Sequence, residues 1–200
     1  MAYPTVAAPY GLQPINLVGG QVYAGQVRQI PIASGSSTDI FYGDIVALDT
    51  SGNLVKVTTT DSATNAVGVF LGCSYTNPAT QQPLFYQCYN GPVTASDIKA
   101  FVQDDPDQLY KVAVVSATTT ISGVTRAAVG QNAALVQNTG STTTGDSKVA
   151  VLATTGTATT LPLRIIDVVP ETANASGSYT EVIVKFGIGV HTYTTAVAVA

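Results

Sequence analysis

The sequence predicts a mostly β protein: a small β-barrel or sandwich of short antiparallel strands, preceded by an extended N-terminal arm. Three observations carry this reading. Short apolar runs rich in Val and Ile recur between Gly, Asn, Ser and Pro clusters, as in all-β sandwiches and barrels. The clearest run, residues 181–190, has a period of two. Val182, Val184, Phe186, Ile188 and Val190 fall on one face, with Glu181, Lys185, Gly187 and Gly189 on the other; that is the pattern of a half-buried strand. Finally, Pro4, Pro9 and Pro14 interrupt the first 20 residues. Each fixes φ and removes a backbone donor, which disfavours helix and mid-sheet positions.

The elements follow in order. Residues 1–20 read as an arm with apolar anchors, since Tyr3, Val6, Tyr10, Leu12 and Ile15 sit between the prolines, and a disordered tail would be poorer in such residues. Residues 21–200 read as the β domain. Val22, Val27, Ile30 and Ile32 mark one or two strands, closed by Ser34-Gly35-Ser36-Ser37. Residues 41–48 follow, bent at Gly43 and Asp44. Thr50-Ser51-Gly52-Asn53 is a hairpin turn with its return strand at 54–58, because Gly and Asn supply positive φ. Residues 66–75 alternate, with Val67, Val69, Leu71 and Cys73 expected on one face. A short strand at 84–89 ends at Asn90-Gly91-Pro92. Residues 98–103 and 109–115 read as a hairpin with the acidic tip Asp104-Asp105-Pro106-Asp107. The alanines of 124–136 permit a short helix, although Gly130 lies inside it. Strands are expected at 148–154 and 161–169. No fixed-period repeat is present, so the chain is not a solenoid.

Only 10% of residues are charged, against about 25% in ordinary soluble domains. Thr, Ser, Asn and Gln make up the difference. Such a surface is polar yet nearly neutral, and few charges lose water when it is covered. This suits a protein that buries much of its outside in an assembly. The net charge is −4 with scattered Lys and Arg, so no basic stripe awaits nucleic acid. No apolar run reaches the length of a membrane span. The N-terminus lacks a basic region followed by an apolar one, and export through a signal peptide is not expected.

Little in the chain points to chemistry. Cys73 and Cys88 fit neither a disulfide-dense scaffold nor a four-ligand zinc site. They read as two buried thiols, with a disulfide between them the lesser alternative. The single histidine, His191, reads as a partly exposed residue at a strand end. A catalytic triad would need a nucleophile and a carboxylate beside it, and no Gly-x-Ser-x-Gly elbow occurs. The Asp104–Asp107 cluster lacks the spacing and closing Glu of an EF-hand and reads as an Asx turn pre-set by Pro106. Asn174-Ala175-Ser176 matches a glycosylation sequon and reads as a turn. There is no Trp, which removes the best stacking platform for sugars. No phosphate loop or dinucleotide fingerprint is present. No enzyme, cofactor or metal is expected.

Several segments, in order, resemble structural proteins of tailed bacteriophages of the capsid decoration or cement type. They are Ala8-Pro9-Tyr10-Gly11-Leu12-Gln13-Pro14, Gly43-Asp44-Ile45-Val46-Ala47-Leu48, Ala66-Val67-Gly68-Val69-Phe70, Val102-Gln103-Asp104-Asp105-Pro106-Asp107, Val129-Gly130-Gln131-Asn132-Ala133 and Leu161-Pro162-Leu163-Arg164-Ile165-Ile166. The Gly-Asp-Ile-Val strand followed by Ala-Val-Gly-Val is similar to the small barrel of head-decoration proteins. That likeness would place a barrel at about 39–118 and a further β portion at 119–200. It implies a homotrimer on the outer face of the mature capsid, assembled in the bacterial host cytoplasm, with the major capsid protein as partner. In that setting Tyr10, Leu12 and Pro14 would anchor the arm on the shell or on a neighbouring subunit, for example as an added strand. The alternative is an arm folded back on its own barrel. Two other roles compete: a tail or fibre component, and a glycan-binding adhesin module.

Overall fold

The computed structural model describes residues 6–58, 65–187 and 189–194. These form thirteen strands: β1 Gln13–Leu17, β2 Arg28–Pro31, β3 Ile45–Leu48, β4 Leu54–Lys56, β5 Ala66–Thr76, β6 Pro83–Tyr86, β7 Lys99–Gln103, β8 Gln108–Ala117, β9 Thr120–Ile121, β10 Asn132–Val136, β11 Ala150–Gly156, β12 Leu163–Val168 and β13 Glu181–Phe186. The protein is therefore mostly β, as its alternation and turn signals indicate. The stretch 124–136 holds a single 3-10 turn at Arg126–Ala128 before β10.

Five strands close into a barrel in the order β8-β11-β10-β12-β13, with β13 returning to β8. Four of the five pairings are antiparallel, and β8 with β11 is parallel. The ten-residue β8 makes closure possible. Its middle residues pair with β13 and Val114–Val115 with β11, while β1 and β9 pair near its two ends. Alternate residues point inward: Tyr110, Val112 and Val114; Ala133 and Leu135; Leu163 and Ile165; Val182, Val184 and Phe186. Ile188, placed on that last face by its sequence period, lies outside the described residues.

The remaining strands form an open antiparallel sheet, β2-β7-β5-β3-β4, with β6 on β5. One face carries a second core of Ile30, Val46, Val67, Phe70, Cys73, Ala100 and Val102. Irregular segments around Ile40, Tyr89 and Ile98 cover it, held by the Ile40–Tyr89 bridge and by Ile32 N–H bonded to the Ile98 carbonyl at 3.1 Å. The closed ring thus falls on residues 108–186, whereas the strands between 39 and 103 are an open sheet. The physical reason lies in β5. Its run Ala-Val-Gly-Val-Phe-Leu-Gly-Cys is apolar on both faces, as a strand between two cores must be. Ala66 and Val69 join the barrel core; Val67, Phe70 and Cys73 join the other. Two register shifts, one opposite Val46/Ala47 and one at Phe70/Gly72, produce this split. Each bulge reverses the alternation, so Val67, Val69, Leu71 and Cys73 do not share the one face expected of them.

The residues 98–115 do not form a hairpin either. β7 belongs to the open sheet and β8 to the barrel, so the acidic turn is the crossover between them. Asp105 accepts the Asp107 N–H at 2.8 Å in an Asx turn. Asp104 pairs with Arg28 at 2.8 Å, and Asp107 with Lys185 at 2.6 Å.

The N-terminal segment is part of the fold from Pro9 onward. Gly11 N–H bonds the Val149 carbonyl at 3.1 Å and Leu12 N–H bonds the Gly43 carbonyl at 3.0 Å. The backbones meet because Gly11 and Gly43 both take positive φ; a Cβ on Gly11 would lie 2.7 Å from the Ser147 Cβ. Leu12 is fully buried in the barrel core. Pro14 sits opposite Tyr110 on β1, and Tyr10 donates its hydroxyl to Glu181. The anchors expected to reach a shell or a neighbour are thus spent on this chain's own domain, Leu12 completely. Residues 1–5, with Tyr3 and Pro4, lie outside the described residues. Leu12→Ala is expected to cost about 2–5 kcal/mol, the cost of a core cavity. Urea denaturation would measure it; unchanged stability would return Leu12 to a freely projecting arm.

Candidate interaction surface

The structure turns outward a different segment from the one expected. Residues 18–27, Val-Gly-Gly-Gln-Val-Tyr-Ala-Gly-Gln-Val, connect β1 to β2 and contain no charge. Their root is fixed: Leu17 N–H bonds the Gln21 carbonyl at 2.9 Å, and Val18 N–H bonds the Asp107 carbonyl at 2.9 Å. Gly19 and Gly20 turn the chain at φ +101° and +85° with open space around them. Every residue of the segment except Tyr23 is exposed. Val22 is 78% exposed, and Val18 and Val27 also face solvent. Burial pushes the Tyr23 phenol up, with Tyr42 adding to it. Val22 closes the turn with an antiparallel bridge to Asn16 of β1; the rest of the connection runs over the surface, where loops often carry binding residues.

A second apolar feature lies at the sheet edge. β6 pairs with β5 alone, and Phe85 is 74% exposed. Phe85 borders a groove of about 330 Å³ whose other walls include Gln29, Ser74, Lys99 and Phe101. Gln29 lies on β2, after Arg28 and the exposed segment. On the other face of β6, Tyr86 stacks on Tyr75 with ring centroids 5.7 Å apart. Phe85 opposite Ser74 was legible only as a strand residue; its exposure depends on β6 being an edge.

The other sequence candidates have structural positions. Cys73 and Cys88 are both free, Cys73 buried and Cys88 half-buried. The Cys73 Sγ lies 3.6 Å from the Cys88 carbonyl. Burial, and then Cys88 beside it, push the Cys73 thiol up to about 12, so it stays protonated and unreactive at neutral pH. The bridge between them is not formed. Asn174 heads a turn, accepting the Ser176 and Ser178 N–H groups. His191 is not at a partly exposed strand end: it is 1% exposed. Among the described residues no three His, Cys, Asp or Glu side chains converge as a metal site requires.

A separate pocket of about 300 Å³ is lined by Asp39, Phe41, Lys56, Gln137 and Asn138, among others. Its donors are largely committed. The Lys56 ammonium pairs with Asp44 at 2.7 Å. The Asn138 amide binds the Thr118 and Lys148 carbonyls, and the Gln137 amide binds the Val57 carbonyl. The exposed valine segment with the Phe85 edge is therefore the surface best suited to a partner. Comparison with known proteins finds no matching family model, no similar curated protein and no similar solved structure.

Proposed function

We propose that this protein is a non-enzymatic structural component of a tailed-phage virion, a cement protein that binds the outer face of the mature capsid. The observation that carries the reading is the uncharged, outward-facing segment 18–27, with the exposed Phe85 edge as a second apolar feature. Covering it removes apolar area from water, worth about 1.5–3 kcal/mol for each Val or Phe fully buried, and within 18–27 there is no charge to strip of its solvation. Binding the mature shell alone stabilises that state by mass action. A homotrimer would join three such weak contacts through effective concentration. The major capsid protein is the proposed partner.

Co-sedimentation with mature and immature shells, with solution mass measured alongside, tests this. Saturable binding to mature shells by a trimer is expected. Val22→Asp and Phe85→Asp should each weaken binding roughly tenfold or more, about 1.4 kcal/mol, without shifting the thermal midpoint. No binding to either shell, with a monomeric mass, would move the assignment to a tail or fibre component or a glycan-binding module. The pocket at Asp39, Phe41 and Gln137 would then be the first place to look for a sugar.

A further inference from the structure

The residues after β13 form a strap that ties the barrel to the open sheet. Val190 fills the barrel core. His191 bridges Ala66, Thr192 N–H bonds the Ala66 carbonyl at 2.8 Å, and the Thr192 hydroxyl bonds the Asn65 carbonyl at 2.8 Å. Tyr193 then turns back. Its N–H donates to His191 Nδ1 at 3.2 Å, and its hydroxyl donates to Asp104 at 3.1 Å. The His191 ring packs edge-on against Phe186 at 5.9 Å and Tyr193 at 5.0 Å.

Nδ1 can accept that N–H only while it is unprotonated. The neutral ring therefore carries its proton on Nε2, which is buried without a partner in hydrogen-bond geometry. A protonated ring would point a second N–H at the Tyr193 N–H and place a cation in a buried site.

We propose that residues 189–194 are an acid-released latch, held shut by neutral His191 and opened by its protonation. Among the described residues the charged groups around the ring are few. Asp104 and Asp105 come from the crossover turn, and Arg28 of β2 lies over the Tyr193 ring at 5.1 Å while pairing with Asp104. β5 contributes only backbone. β13 contributes Phe186, which packs on Tyr110 of β8. Burial lowers the His191 pKa; Asp104, the backbone carbonyls of Asp104 and Val67, and Asp105 oppose it with less effect.

The sign follows. The released strap binds the proton more readily than the docked one. Docking strength is therefore complete above the ordinary histidine value and is lost as pH falls through the lowered value. Between the two values the opening constant rises about tenfold per pH unit. Opening would free the Ala66 carbonyl and uncover the Phe186 end of the barrel.

His191 is the only histidine, so its ring signals in an NMR titration from about pH 8 to about pH 4 are unambiguous. The expected result is Nε2 protonation of the neutral ring and a midpoint below that of free histidine. The amides of Thr192, Tyr193 and Thr194 should lose exchange protection in step, while barrel amides keep theirs. His191→Gln, which retains an acceptor and cannot titrate, should remain docked over the same range. A midpoint at the ordinary value, or strap amides that stay protected through the titration, would overturn the proposal. So would opening of His191→Gln at the wild-type pH, which would assign the effect to Asp104. The wild-type titration decides the matter even if that variant does not fold.

Discussion

Asp44→Ala is expected to lower unfolding free energy by about 3–5 kcal/mol, the cost of breaking a buried ion pair from one side. Asp44 is fully buried. Its carboxylate accepts the Phe41 N–H at 2.8 Å, the Ser147 hydroxyl at 2.6 Å and the Lys56 ammonium at 2.7 Å. Lys56 is itself mostly covered and lies 5.3 Å from the Phe41 ring centroid. Removing the carboxylate leaves a largely covered ammonium without its ion-pair partner and leaves two further donors unpaired. The same group ties β4 to the turn at Gly43 and to Ser147 before β11, so both sheets lose a tether. Asp44→Asn keeps an acceptor but not the charge, and should fall between wild type and Ala. Adding Lys56→Met to Asp44→Asn should recover part of the loss, since no cation is then stranded. Urea denaturation of the four proteins measures this. A loss under about 1 kcal/mol for Asp44→Ala would show the pair to be no more than a surface contact.

Gly68→Ala is expected to be the most damaging single methyl in the protein. A Cβ there would run into the Gln103 carbonyl oxygen, with the Gln103 carbonyl carbon at 2.8 Å and the Asp104 Cα at 3.0 Å. All three are backbone, so no side chain can swing aside. Gly68 lies beside the register shift on β5 and faces the end of β7, where the chain leaves the open sheet for the barrel. Separating these strands breaks the ladder at the junction of the two cores. The loss should exceed the 1–3 kcal/mol typical of overpacking. Soluble yield and thermal midpoint are the first readouts. Gly130→Ala is the control: that glycine has positive φ but open space, so only local backbone strain of about 1 kcal/mol is expected.

Several features were legible in the residues alone. The Ser51-Gly52-Asn53 turn joins β3 to β4, with Asp49 capping it through the Ser51 and Asn53 N–H groups at 2.8 Å. The alternation Val182-Val184-Phe186 is a barrel face. The Asp105-Pro106-Asp107 turn is an Asx turn. Each depends on a few neighbouring residues, whose geometry is set by local sterics and hydrogen bonding.

Other features needed the three-dimensional arrangement. The prolines at 9 and 14 look the same whether a segment projects or docks; only the meeting of Gly11 with Gly43 decides that Leu12 enters the core. Val22 and Val27 read as strand residues, yet apart from the single Asn16–Val22 bridge the segment 18–27 joins no strand ladder, and nearly all of it is exposed. Asp44 was legible as a bend and not as the anchor of a buried pair, since Lys56 and Ser147 are distant in sequence.

The sequence by itself therefore determined the β character, most strand positions, the turn chemistry and the nearly uncharged surface, all properties of single residues or close neighbours. The tertiary structure alone decided which strands close the barrel, which face of β5 meets which core, that Leu12 enters the core, and that His191 is buried in a strap. These depend on pairings between residues far apart along the chain, where one bulge reverses every side chain that follows it.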